Sequence, residues 1–341
     1  MAPIAEVAPM GTQLSSLEKT VSPKEALEQT IRAADMVPLW NTGAPPTSPA
    51  PHTKHIPAVW RYADSKSLLL KAAEVVDPRE AERRAVLFIN PGPKSSPHTS
   101  DVLLAAHQLI LPGEQALCHR HTPFAVRFLI EGEQGYTAIS GKKMYMGPGD
   151  LIITPTWNWH DHGNEGTKNV IWLDGLNIPF YKHLPVDFTE HYEEEFGSFT
   201  HESKPVPDSL CQEMKFPWSA MQAKLDGPGG TYAFAEYLLP DGKPVNTIIG
   251  AFAERIAAGA HGPARQETPS NVFQVHRGRG WTEVTGPKGE STRLDWGPKD
   301  CFVIPAWYRF QHFADAEETV YLFSFSDKSM HVNLGFYRSK E

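Results

Sequence analysis

Residues 113–132 read GEQALCHRHTPFAVRFLIEG, and residues 149–164 read GDLIITPTWNWHDHGN. Together they hold an ordered framework: Gly113-x5-His119-x-His121 with Gly132 beyond it, then Gly149-x5-Pro155-x-Trp157-x2-His160-x3-Asn164. Short apolar runs cut by Gly and Pro read as strands and turns. On a strand, side chains at i and i+2 leave the same face. His119 and His121 therefore project together into a barrel, and His160 reaches them from a neighbouring strand. Three imidazoles converging in this way bind a divalent transition metal. The His-x-His pair alone carries little weight, because 15 histidines in 341 residues produce about 0.7 such pairs by chance. The weight lies in the glycines, Pro155 and Asn164 that frame all three histidines.

Strand-like runs continue on both sides: AVLFI from Ala85, DVLLAAHQLILP from Asp101, GYTAI from Gly135 and NVIWLDGLNI from Asn169. A second block begins near Asn246 with NTIIGAFAERI, then NVFQVHRG, GWTEV, DCFVIPAW and ETVYLFSFS. The halves repeat one another, since Pro148-Gly149-Asp150 to Trp157 aligns without gaps on Pro298-Lys299-Asp300 to Trp307. Two copies make a duplicated antiparallel β unit, not a solenoid. In the second copy the positions matching the three histidines are Arg265, Glu267 and Phe310, after Gly259. Phe310 cannot ligate and a guanidinium repels a cation, so the second barrel is expected to be metal-free and structural.

Ser22-Pro23-Lys24-Glu25 carries a capping box, and the helix it opens stops before Pro38. A Pro-rich loop covers residues 41–58, and a second helix is expected from about Ser65 to Ala85. Residues 181–245 read as irregular, with the acidic patch HYEEEF as a solvated face. The expected organisation is a leader and helical arm over 1–85, a metal-bearing barrel over 86–180, a connector over 181–245 and a second barrel over 246–341. The fold class is all-β with a helical N-terminal arm, built as two antiparallel jelly-roll barrels. A net charge of −8 argues against coating nucleic acid. No apolar run approaches the roughly 18–20 residues of a membrane helix, and the first residues lack the basic and apolar pattern of a secretory signal. Cys118, Cys211 and Cys301 are odd in number and far apart, which suits thiols of a reducing cytoplasm. Nothing reads as a nucleophile elbow, a Walker loop or a dinucleotide fingerprint.

The two framework blocks resemble those of cupins. The two-barrel whole resembles the gentisate 1,2-dioxygenase family, whose close relatives cleave salicylate or 1-hydroxy-2-naphthoate. The resemblance rests on Met36-Val-Pro-Leu-Trp40, Glu82-Arg-Arg-Ala85, the two blocks quoted above, and Trp172-Leu-Asp-Gly-Leu-Asn-Ile-Pro-Phe180. Asn271-Val-Phe-Gln274 and Phe323-Ser-Phe-Ser-Asp327 add to it in the second barrel. It covers most of residues 22–338 and fails mainly over 190–245. Cupins usually add a glutamate ligand, which here would fall at Ala125 or Val126. Neither binds metal, so a three-His site leaves the ion its full divalent charge and open positions. That favours an anionic bidentate ligand such as an ortho-hydroxybenzoate. The resemblance implies an Fe(II)-dependent dioxygenase opening gentisate to maleylpyruvate, with iron on His119, His121 and His160. It also implies an aromatic hydroxy acid and O2 as partners, and a homotetramer. The alternatives are a salicylate or 1-hydroxy-2-naphthoate 1,2-dioxygenase, or a non-catalytic metal-binding bicupin.

Further pocket residues follow from chemistry and from the resemblance. Arg127 lies an even step beyond His121, so on an unbroken strand it would share that face. A buried Arg needs an anion, which is either a substrate carboxylate held bidentately or a structural salt bridge. Arg83 is the other carboxylate contact that the resemblance implies. His162 shares a face with His160; it is either a fourth ligand or, where the motif places it, a group behind the ligands that would bond substrate or dioxygen oxygens and move a proton. Asp174, a lone carboxylate in an apolar strand, is a pocket contact or a core hydrogen bond. Gln108, Leu104 and Ala106 share a strand face and would line one wall, and Leu104 departs from relatives that often carry an aromatic ring there.

Overall fold

The computed structural model describes residues 21–41, 50–51, 53–76, 84–93, 97–192, 204–227 and 229–340. The chain falls into two compact units, residues 1–50 and 51–341. In the first, α1 (Pro23–Ala33) starts at the expected capping box. Glu25 N donates to Ser22 Oγ at 3.2 Å, and Ser22 N donates to the Glu25 carboxylate at 2.8 Å. The helix stops short of Pro38 because Asp35 turns the chain with φ of 56°.

The second unit opens with β1 (Ala58–Trp60), α2 (Tyr62–Val75) and β2 (Arg84–Leu87). Next come β3 (Leu104–Ile110), β4 (Gln115–His121), β5 (Ala125–Glu131), β6 (Gly135–Ile139), β7 (Lys142–Met146), β8 (Leu151–Thr154), β9 (His160–Asn164) and β10 (Val170–Leu176). The connecting region holds α3 (Ile178–Tyr181), β11 (Thr189–His191), β12 (Lys204–Pro205), β13 (Lys215–Phe216), α4 (Trp218–Asp226) and β14 (Tyr232–Glu236). The rest is β15 (Gly250–Ile256), β16 (Arg265–Gln266), β17 (Asn271–Arg277), β18 (Gly280–Thr285), β19 (Ser291–Trp296), β20 (Cys301–Ile304), β21 (Arg309–Ala314), β22 (Val320–Ser326) and α5 (Lys328–Asn333).

The molecule is a mostly β bicupin, as expected. In the first barrel the sheet β13-β8-β5-β10-β3-β2 faces β11-β4-β9-β6-β7-β12; in the second, β1-β20-β17-β22-β15-β14 faces β16-β21-β18-β19. The orders repeat, β8-β5-β10-β3 matching β20-β17-β22-β15 and β4-β9-β6-β7 matching β16-β21-β18-β19. Gly149 and Lys299 make the same left-handed turn, with φ of 92° and 71°. Trp157 and Trp307 do likewise at 63° and 65°.

The duplication runs further than the aligned motifs. The unit β1–α2–β2 recurs as β13–α4–β14. Asp300 accepts from the first amide of α2, Tyr62 N, at 2.8 Å, and Asp150 accepts from the first amide of α4, Trp218 N, at 2.9 Å. The leading strands are exchanged: β1 pairs with β20 of the second barrel, and β13 with β8 of the first. The second helix is shorter than the expected Ser65–Ala85. It ends at Val75, and Arg84 already opens a strand on β3.

Strand β3 is buried at every position, and β10 and β5 at every position but the last. Their inner faces line the barrel and their outer faces pack on the other barrel, which removes the usual polar alternation. Phe128 stacks on Phe323 at 4.4 Å across that contact. A Cβ at Gly175 would lie 2.6 Å from Phe325 Cζ, so only glycine allows the barrels this approach. Among the described residues no helix is long and apolar enough to cross a membrane.

Candidate metal centre

β4 and β9 are neighbours, and the register sets His119 opposite His160. The ring centroids are 4.3 Å apart for His119 and His160, 4.8 Å for His121 and His160, and 5.5 Å for His119 and His121. All three are buried, and one donor atom from each lies within 4.8 Å of the others. Each Nδ1 meets a backbone carbonyl: His119 that of Leu117 at 2.8 Å, His121 that of Pro123 at 2.7 Å, and His160 that of Asn158 at 2.8 Å. A carbonyl only accepts, so each Nδ1 carries the proton and each Nε2 keeps its lone pair. That is the tautomer metal ligation requires, set by the outer hydrogen bond. Burial first, and then His119 and His121, hold His160 well below the ordinary imidazole range, so it stays neutral. The donor set therefore fits a divalent transition ion, and imidazole nitrogen by itself accommodates Fe, Zn, Cu or Ni.

His162 is built for another task. Its Nδ1 lies 2.9 Å from Arg127 Nη1 and 3.2 Å from Thr137 Oγ1. A guanidinium only donates, so Nδ1 accepts and the proton of neutral His162 sits on Nε2. This tautomer is opposite to that of the three ligands, and it makes His162 Nε2 a donor. Arg127 Nε and Nη2 both bond Asp174 Oδ1, at 2.9 and 2.8 Å. Asp174 Oδ2 accepts from Trp172 Nε1 at 3.0 Å, and the guanidinium lies 4.9 Å over the Trp172 ring. Of the two anions considered for Arg127, Asp174 is the one in contact. The premise of an unbroken strand fails: residues 122–124 separate β4 from β5. Arg127 reaches the interior from the facing sheet.

On β3, Leu104, Ala106 and Gln108 do share one face. The register places them opposite Leu176, Asp174 and Trp172 in turn. Gln108 Nε2 is buried and has no hydrogen-bond partner among the described residues. Arg83 lies outside the described residues; its neighbour Arg84 is buried and bonds Glu114 at 2.6–2.7 Å.

Sequence reasoning missed several contributors. Thr137 had no signal beyond its place in an apolar run, and its role comes from the pairing of β6 with β9 opposite His162. Arg120, between the two ligand histidines of β4, lies 4.3 Å from Trp157 and 4.6 Å from Trp159 and bonds Glu190 at 2.8 Å. It ties the turn before His160 to β11 from outside. β11 also brings His191 beside His119, with ring centroids 6.4 Å apart. Strand pairing alone reveals it, since the 181–245 region carries no periodicity.

Residues 106–176 match the cupin domain model. The chain is 31% identical over 353 residues to gentisate 1,2 dioxygenase 1 of Aquipseudomonas alcaligenes, covering 95% of this chain and 99% of that protein. It belongs to the gentisate 1,2-dioxygenase family. A 5-aminosalicylate 1,2-dioxygenase of Comamonas sp is 30% identical over 93% of this chain and 90% of that protein. The crystal structure of salicylate 1,2-dioxygenase from Pseudoaminobacter salicylatoxidans, in its adducts with gentisate, superposes with a TM-score of 0.82 at 28% identity, covering 95% of this chain and 96% of that one. In this member of the family the second barrel keeps the scaffold with other chemistry. Arg265, the counterpart of His119, bonds Glu254 at 2.7 Å and lies 4.7 Å over Phe310. Thr282 Oγ1 meets His312 Nδ1 at 2.8 Å, repeating the pair Thr137 and His162.

Proposed function

We propose that this protein is an Fe(II)-dependent dioxygenase that opens gentisate to maleylpyruvate, inserting both atoms of O2 between the ring carbons bearing the carboxyl and 2-hydroxyl groups. The observation that carries this reading is the division of tautomers in one buried pocket. His119, His121 and His160 keep Nε2 lone pairs, while His162 keeps an Nε2 proton. Bound iron would supply Lewis acidity, redox capacity and a template for both substrates. With no carboxylate ligand, the divalent charge is left for the substrate's carboxylate and phenolate oxygens.

The chain's own residues bind and orient. The Gln108 amide, lacking an acceptor among the described residues, donates to a substrate oxygen, and Leu104 and Ala106 bound the ring. His162 Nε2 donates to a reacting oxygen and is the group that moves a proton. Arg127 and Thr137 hold its tautomer, and Asp174 holds Arg127. The substrate carboxylate falls to Arg83, assigned by the resemblance, while Arg127, whose charge is met by Asp174, acts on the substrate through His162. We assign the reaction to the barrel of residues 86–180, to which the 181–245 connector adds β11, β12 and β13, with 246–341 as a structural barrel that β1 of the 1–85 arm and β14 of the connector extend. The working form is a cytoplasmic homotetramer, which light scattering on purified protein checks.

The deciding experiment is anaerobic loading with Fe(II), followed by oxygen uptake with gentisate, salicylate and 1-hydroxy-2-naphthoate in parallel. The expected result is uptake with gentisate, one O2 per ring. Uptake with salicylate but not gentisate moves the assignment to that relative. No uptake with any of them by iron-replete protein refutes the dioxygenase reading.

A further inference from the structure

The duplicated unit β1–α2–β2 and β13–α4–β14 gives an internal control for a cavity far from the metal centre in sequence. α4 and its neighbouring strands border a solvent-open cavity of about 350 Å³, lined by Phe216, Pro217, Ala220, Met221 and Leu238 together with Lys215, Lys224 and Tyr237. Small-molecule pockets run from about 300 to 1,000 Å³, so this one suits a compact ligand.

The two halves can be compared position by position. Phe216 pairs with Leu151 as Trp60 pairs with Cys301, so Lys215 corresponds to Val59. The helices start in step at Trp218 and Tyr62, which sets Lys224 against Leu68. Tyr237 N bonds Ala251 O as Phe88 N bonds Ala105 O, so Tyr237 corresponds to Phe88. At all three places one half is apolar and the cavity half is polar. Packing does not require the change, because Trp60 stacks on Phe88 at 5.0 Å in one half and Phe216 meets Tyr237 edge-on at 5.7 Å in the other.

The added groups are unequally committed. Lys215 Nζ is taken by Asp208 at 2.8 Å and Asp150 at 3.6 Å. Lys224 is exposed, and among the described residues its Nζ reaches only the Glu236 carbonyl, at 3.3 Å. The Tyr237 hydroxyl is fully buried and has no hydrogen-bond partner among the described residues. A buried donor left without an acceptor is destabilising, and phenylalanine would avoid it. Glu236 also lines the cavity, near Lys224 and Lys328, and burial pushes its carboxyl up.

We propose that this cavity is a second, non-catalytic binding site for an aromatic monocarboxylate, with the ring against Phe216, Met221 and Leu238 and the carboxylate on Lys224. Calorimetric titration of the whole protein with 2-naphthoate, which lacks the ortho hydroxyl needed for chelation, tests the site. Wild-type protein and the His160→Ala variant should bind alike. Lys224→Glu should weaken binding at least tenfold, and Ala220→Trp, which fills the mouth from an exposed helix position, should abolish it. Binding that is lost in His160→Ala and kept in Ala220→Trp places the acid in the catalytic barrel and overturns the proposal. So does the absence of binding to wild-type protein at millimolar acid. Neither outcome bears on oxygen uptake, so the dioxygenase reading stands or falls separately.

Discussion

Substituting Arg127 by methionine separates the two jobs that the buried Arg127–Asp174 pair performs. The pair is almost fully enclosed, with side-chain exposures of 3% and 7%, and its contacts are 2.8–2.9 Å. Arg127→Met leaves the Asp174 carboxylate buried with the Trp172 indole still donating to it. Stranding one charge of such a pair costs about 3–5 kcal/mol. At about 2–4 °C per kcal/mol for a large domain, the melting temperature should drop by roughly 6–20 °C. Adding Asp174→Asn removes the stranded charge and keeps an oxygen for Trp172, so the double variant should recover most of that loss. Turnover should not recover with it, because His162 Nδ1 has lost its guanidinium donor and the Nδ1–H tautomer becomes accessible. Loss of a positioned proton donor is worth about 10²–10⁴ in rate, and with Thr137 still present the lower end applies. Calorimetry, metal analysis and oxygen uptake on the two single variants and the double variant complete the cycle. A coupling below about 0.5 kcal/mol would show that the pair is not a unit. A double variant with wild-type kcat would refute the tautomer argument outright.

His160→Ala should abolish metal binding, whereas His162→Ala should retain the metal and lose turnover; equal metal loss in both would place His162 among the ligands. Gly175→Ala forces a Cβ to within 2.6 Å of Phe325 Cζ, so it should destabilise by about 1–3 kcal/mol in thermal unfolding without changing the affinity for metal. His107 is fully buried between Ser65 and Gln274, and burial lowers its pKa to about 4 from 6.5. The unfolded chain therefore takes up a proton that the folded chain refuses as pH falls from 6.5 to 4, and stability falls with it. The loss reaches about 3 kcal/mol. A His107→Gln variant should show a correspondingly flatter dependence of melting temperature on pH across that window, and identical slopes would remove His107 as the cause.

The ligand triad was legible because its determinants are local. An i, i+2 spacing on a strand fixes the face of His119 and His121, and the carbonyls that set their tautomers lie two residues away in the chain. The duplication was legible where the turns themselves repeat, as in Pro148-Gly149-Asp150 and Pro298-Lys299-Asp300. It was not legible in β1–α2–β2 and β13–α4–β14, where the helix starts are held by the distant carboxylates Asp300 and Asp150.

By itself the sequence determined that the chain folds as two antiparallel barrels and that one of them can carry a three-imidazole metal site. Periodicity and turn chemistry are short-range, and they survive without knowledge of partners. The surroundings of that site come from long-range pairing and packing. Arg127 and His121 converge from opposite sheets, Thr137 meets His162 through the register of β6 on β9, and the leading strand of each repeat closes the other barrel. Those contacts bridge residues far apart in the chain, and their geometry is set by how two sheets twist and pack, which no local spacing records.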